Sequence, residues 1–226
     1  MRQVSPIINV FFALITFLTV WQFYRASKDS RSFLLVSAVW MAIQLLIGRS
    51  HFYENGYAVP PRFALLLVPP LLLMIGMFIF PAGRKFIDRL DPVQLTLLHS
   101  IRIGVEIILY LLFIAKAVPK IMTFEGRNFD LIAGLTAPLV FYFGYVKKQL
   151  SGSIIIGWNF LSLCLLVNII LIAIFSAATP LQRFGFDQPN IAIAHFPFNW
   201  LPSVVVPIVL FSHLALLRQS FRQRNS

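Results

Sequence analysis

Cysteine, acid and charge in general are all scarce in this chain. The one cysteine, Cys164, lies in an apolar run, so no disulfide can close within the 226 residues. Its simplest reading is a small buried hydrophobe. Charged residues make up 12% of the chain, about half the usual share of a soluble domain, and the mean hydropathy is +0.81. So little charge excludes an ordinary soluble globule. The eight acidic residues stand against nineteen Lys and Arg, a formal net charge of +11. That excess invites a nucleic-acid reading, which fails on distribution. The basic residues are scattered over short links and segment ends, with no basic face and no nucleic-acid module. Their expected roles are to set topology and to meet anionic lipid head groups.

Apolar runs, by contrast, recur from end to end. They predict an all-α integral membrane protein: one polytopic domain, residues 1–226, built as a bundle of about seven transmembrane helices. The expected spans are 6–24, 32–47, 62–80, 92–118, 128–145, 154–177 and 198–217. The first reads as a retained helix and not as a signal peptide. It is too long, ends in Trp21-Gln22-Phe23-Tyr24 and has no small-x-small cleavage site. Residues 83–90 are basic and amphipathic, which predicts a short interfacial helix with Phe86, Ile87 and Leu90 towards lipid. Asp91-Pro92 reads as an N-cap and first helical residue. Pro69-Pro70, Pro138, Pro202 and Pro207 predict kinks inside their spans. No internal repeat supports an inverted-repeat transporter fold.

Orientation follows from the basic residues. Arg25, Lys28, Arg31, Arg84, Lys85, Arg89, Lys147, Lys148, Arg218, Arg222 and Arg224 fall on one side of the seven-span arrangement. Arg2, Arg49, Arg62, Lys116, Lys120, Arg127 and Arg183 fall on the other. The bias predicts an N-terminus outside and a C-terminus inside, in the plasma (cytoplasmic) membrane.

The unusual stretch is Leu97–Ile108, which places His99, Arg102 and Glu106 in an otherwise apolar segment at spacings of three and four, on one helix face. Ionisable groups inside a membrane are costly and face a bundle interior or a wet cavity. Two readings stand. In the functional one, Arg102 is a fixed cation for a carboxylate or phosphate, Glu106 the acid or base, and His99 a proton relay from the inner side. In the structural one, Arg102 and Glu106 neutralise each other and His99 satisfies a neighbouring carbonyl.

Further candidates gather around the stripe. Gln44, with Gly48 and His51 on its helix face, is a candidate pocket wall. Asn159 and Asn168 lie half a turn apart, so only one can face the pocket. In Glu125-Gly126-Arg127-Asn128-Phe129-Asp130, Arg127 and Asp130 are candidate binding residues of a lid that is otherwise a capped turn. His51 and Glu54, joined by His195 from another loop, are weak metal-ligand candidates, and no metal site is assigned. His213 reads as a packed histidine. Cofactors are unknown.

Well-known seven-helix families ask for residues that are missing here. The last span has no lysine for a retinal Schiff base, and a single histidine where ceramidase-like zinc hydrolases pair two. Ser151-Gly152-Ser153 does not match the Gly-x-Ser-Gly nucleophile of rhomboid-like proteases. The expected function is an outward-opening intramembrane polar pocket that binds or processes a small amphipathic or anionic molecule. A proton- or anion-coupled transporter and a non-catalytic membrane subunit with a buried ion pair are the alternatives. Membrane lipids are the expected surroundings, and no nucleic acid is expected to bind.

Overall fold

The computed structural model describes residues 4–56, 58 and 62–224, and every regular element among them is helical. Arg2, counted above for orientation, lies outside the described residues. Capping explains most of the starts. Ser5 opens α1 (Pro6–Ala26), Ser30 opens α2 (Arg31–Arg49) and Ser151 opens α8 (Gly152–Ser176), each accepting a first-turn amide on its side chain. Asp91 caps α5 (Pro92–Leu98) through Val93 N at 2.9 Å, with Pro92 as the first helical residue. The remaining α-helices are α3 (Ala64–Ile79), α4 (Pro81–Arg89), α6 (Ile101–Ile114), α7 (Asp130–Val140) and α9 (Val206–Arg224).

Among the described residues, five helical stretches are long and apolar enough to cross a membrane: α1, α2, α5 with α6, α8, and the run Leu201–Arg222. The count rises to six if α3 and α4, which meet at a 92° bend, form one span. The segment expected at 128–145 is helical and apolar but shorter, Asp130–Val146. Large apolar side chains such as Ile7, Leu35, Leu72 and Leu161 point outward, which is compatible with an integral membrane protein. Cys164 also lies exposed on α8, where burial was expected.

The expected helix 92–118 is interrupted and shorter. His99 and Ser100 form a turn between α5 and α6. The end comes early because Lys116 takes a left-handed conformation (φ 57°). Its N–H then bonds Phe113 O at 2.9 Å and that of Ala117 bonds Leu112 O at 2.8 Å, closing the last carbonyls four residues before the anticipated stop. The prolines act locally. α3 continues through Pro69 and Pro70, whereas α7 passes into a π-helical turn (Phe141–Val146) three residues after Pro138. A second π-helical turn, Leu201–Val205, holds Pro202 and leads into α9.

Two ends of the bundle can be told apart. At the α4 end, Asp91 N bonds Ala26 O at 2.9 Å, and Asp88 of α4 pairs with Arg218 and Arg222 near the end of α9. At the loop end, residues 177–200 fold over the bundle. Gln188 Nε2 donates to Phe113 O and Val118 O, and Ile191 N and Ala192 N both donate to Ala117 O. Between the ends, α1, α5, α6 and α9 supply the fully buried core of Phe12, Phe23, Leu95, Leu98, Ile108 and Ala215. α7 lies close on α6 because Gly134 has no side chain. A Cβ there would sit 3.0 Å from Ile103 N and 3.3 Å from Arg102 Cβ.

Candidate functional site

The close approach of α7 to α6 delivers a carboxylate to Arg102. Asp130, the first residue of α7, accepts from Nε at 2.6 Å and also from Nη2, a two-pronged pair. Nη2 donates further to Ser162 O of α8 at 3.1 Å, and Nη1 meets His213 Nε2 of α9 at 3.2 Å. Arg102 is 2% exposed, so one guanidinium joins four helices out of contact with solvent.

These contacts assign the tautomer of His213. Arg102 can only donate, so His213 Nε2 is the acceptor and the ring proton sits on Nδ1. Nδ1 donates to Asn159 Oδ1 at 2.5 Å, and Asn159 Nδ2 donates to the His213 carbonyl at 3.0 Å. His213 is a neutral imidazole with both nitrogens engaged. His99 stacks on it, ring centroids 3.8 Å apart and planes 16° apart, with Trp158 edge-on at 5.8 Å. His99 is fully buried, and neither of its nitrogens has a protein partner.

Glu106 stands one turn further along α6 and engages a different group. Asn128 Nδ2 donates to Glu106 Oε1 and to Met122 O, while Asn128 Oδ1 accepts from Asp130 N at 3.1 Å. Asn128 therefore holds Glu106 and secures the start of α7. The other carboxylate oxygen, Oε2, is buried and unpartnered. Arg102, Glu106 and Asp130 line a cavity of about 80 Å³ whose other walls are apolar, among them Leu66 of α3, Ile170 of α8 and Val209 of α9.

A family model described as a domain of unknown function (DUF8737) matches residues 60–220. The chain belongs to that family. The DUF8737 match covers α3 to α8 and α9 as far as residue 220, hence every residue of the buried cluster. No curated protein matches the chain, and no solved structure does.

Of the residues singled out in the sequence, His99, Arg102, Asp130 and Asn159 form one connected cluster, and Glu106 joins it through Asn128. The ion pair forms between helices. Arg102 takes Asp130 across the α6–α7 contact, and no bond to Glu106 on its own helix is present. His99 meets the His213 ring, not a carbonyl. Gln44 is buried elsewhere: its Oε1 accepts from Tyr53 OH at 2.8 Å and its carbonyl from Asn199 at 2.7 Å, and it does not line the cavity. Arg127 is exposed and bonds through its backbone, its carbonyl accepting from Asn168 and its N–H donating to Ile121 O. Asn128, Ser162 and His213 are the members that sequence reasoning did not select. Asn128 had a usable signal, being an Asn two residues before a helix-starting Asp.

His51, Glu54 and His195 do come together at the loop end. Glu54 Oε1 lies 2.7 Å from His51 Nδ1 and 3.0 Å from His195 Nδ1. Hydrogen bonding from His51, helped by the charge on His195, holds the Glu54 carboxyl below its usual range. Burial pushes His195 down despite the opposing pull of Glu54. Among the described residues no group of three such side chains is arranged to hold a metal ion.

Proposed function

We propose that this chain is a seven-span plasma-membrane protein, N-terminus outside and C-terminus inside, whose buried polar centre binds or processes a small amphipathic molecule. The observation that carries the reading is the unpartnered Glu106 Oε2 on a carboxylate that lines a cavity whose walls, apart from it and the Arg102–Asp130 pair, are apolar. A cavity of about 80 Å³ is smaller than the roughly 150 Å³ that admits benzene, so it suits the polar head of a longer molecule. Phe63 and Ile193 extend its apolar walls towards the loop end, the side from which the ligand enters in this topology.

The pairing of Arg102 favours an amphipathic ligand over an anionic one. A guanidinium already held at two points by Asp130 is not a free receptor for a carboxylate or phosphate. The head group expected is a hydroxyl, amide or amine that hydrogen-bonds to Glu106. In this reading Glu106 is the acid or base, and His99, with both nitrogens unpartnered, carries protons. A second reading has its own observation: Arg102 touches α7, α8 and α9 at once, which suits a structural cross-brace.

Native mass spectrometry of the mildly solubilised protein beside its Glu106→Gln variant tests the proposal. A retained small amphipathic molecule that the variant loses, at unchanged melting temperature, supports it. A bare protein in both samples, or equal retention, overturns it in favour of the brace.

A further inference from the structure

A second and larger hollow lies on the other face of the α3–α9 pair. It measures about 650 Å³, well within the range of ligand sites, and is bounded by Trp40 of α2, Pro70 and Leu73 of α3, Phe86 of α4, and Val204 and Phe211 of the α9 arm. Its walls are almost wholly apolar. Towards the α4 end the lining changes to Ser30, Ser32, Ala82 and Gly83. Next to these in sequence stand Lys28, Arg31, Arg84 and Lys85, all exposed and none in an ion pair among the described residues.

The acids of this end are already engaged. Asp29 pairs with Arg25, Asp88 with Arg218 and Arg222, and Asp91 caps α5. No charged side chain lines the hollow itself, but the end of the bundle towards which it runs carries an excess of exposed positive charge that no acid there offsets. That combination matches one kind of molecule, with an anionic head and a hydrocarbon chain, and basic pockets on the cytoplasmic side of a bundle hold such head groups.

We infer that the hollow between α2 and α3 is a binding site for an anionic membrane lipid, its acyl chain along Trp40 and Leu73 and its head group on Arg31, Arg84 and Lys85. The inference rests on the membrane topology proposed above and is independent of the Glu106 cavity. Trp40, which donates to Ser203 O at 2.8 Å, stands in the slot as a built-in reporter.

The test is quenching of tryptophan fluorescence in the full chain by dibrominated lipids in nanodiscs. Subtracting the signal of Trp40→Phe isolates this residue. Dibrominated phosphatidylglycerol is expected to quench Trp40 at a mole fraction about tenfold or more below that needed by dibrominated phosphatidylcholine. The triple variant Arg31→Gln, Arg84→Gln, Lys85→Gln, altered only at exposed positions, is expected to erase the difference. Equal quenching by the two lipids marks ordinary surrounding lipid and overturns the inference. Should Trp40→Phe not fold, native mass spectrometry decides. Phosphatidylglycerol retained by the protein and lost from the triple variant supports the site. Retention by both or neither, or a dimer in place of bound lipid, overturns it. Loss of Glu106-dependent ligand leaves these outcomes unaffected, so the two proposals fail separately.

Discussion

Arg102 and Asp130 face each other across the α6–α7 contact in two parallel hydrogen bonds, Nε to Oδ2 and Nη2 to Oδ1. Breaking one side of such a buried pair leaves an uncompensated charge. Arg102→Leu or Asp130→Leu alone is expected to cost about 3–5 kcal/mol, while the double variant regains most of it. Thermal unfolding of the four proteins in one detergent measures this. Additive losses would show that the two side chains do not act as a pair.

His99 makes the opposite prediction. Its ring is fully buried and stacked, yet both nitrogens lack a partner. Replacing it by phenylalanine keeps an aromatic ring and removes two unmet polar atoms, so His99→Phe is expected to stabilise by about 1 kcal/mol. A destabilised His99→Phe would mean that the nitrogens are satisfied, by water or by a ligand, in the folded protein.

At the α4 end, Arg218 and then Arg222 hold the Asp88 carboxyl below its usual range. A carboxyl with a lowered folded-state pKa contributes stability above its unfolded value, about 3.9, and that contribution is lost as pH falls below it. Asp88→Asn is expected to lose about 1 kcal/mol or less at neutral pH and to differ little from the parent under strong acid. Melting temperatures of both proteins across pH 2–7 would show the curves converging, and a constant gap would refute the account.

Gly134 sets the spacing on which Asp130 depends. Gly134→Val places methyl groups against the Ile103 amide and Arg102 Cβ, and should cost about 2 kcal/mol or more by forcing α7 off α6. Gly134→Ala should cost less. The two melts, compared with that of the parent, are the check.

Much of the architecture was legible because its causes are local. The Asp91-Pro92 pair and the apolar runs are read directly from neighbouring residues, whereas the capping serines before α1, α2 and α8 emerged only with the structure. The end of α6 was not, since it depends on a left-handed Lys116, a conformation that hydropathy does not record. The site divides in the same way. His99, Arg102 and Glu106 stand out as ionisable groups in an apolar segment, but spacing along one helix suggests only partners on that helix. The partners chosen lie 28 and 111 residues away in sequence, at Asp130 and His213. Gln44 and Arg127 were grouped with them by polarity, and packing took each elsewhere.

The bonds of Arg102 also carry an order in time. Synthesis makes the cation first, its carboxylate 28 residues later, the Ser162 carbonyl after 60 and the His213 ring after 111. A nascent chain therefore holds an arginine among apolar residues before its neutralising partner exists, and the last acceptor arrives only with the final helix. Biogenesis of this protein is a period of waiting for Arg102, and a truncation before α9 leaves its coordination unfinished.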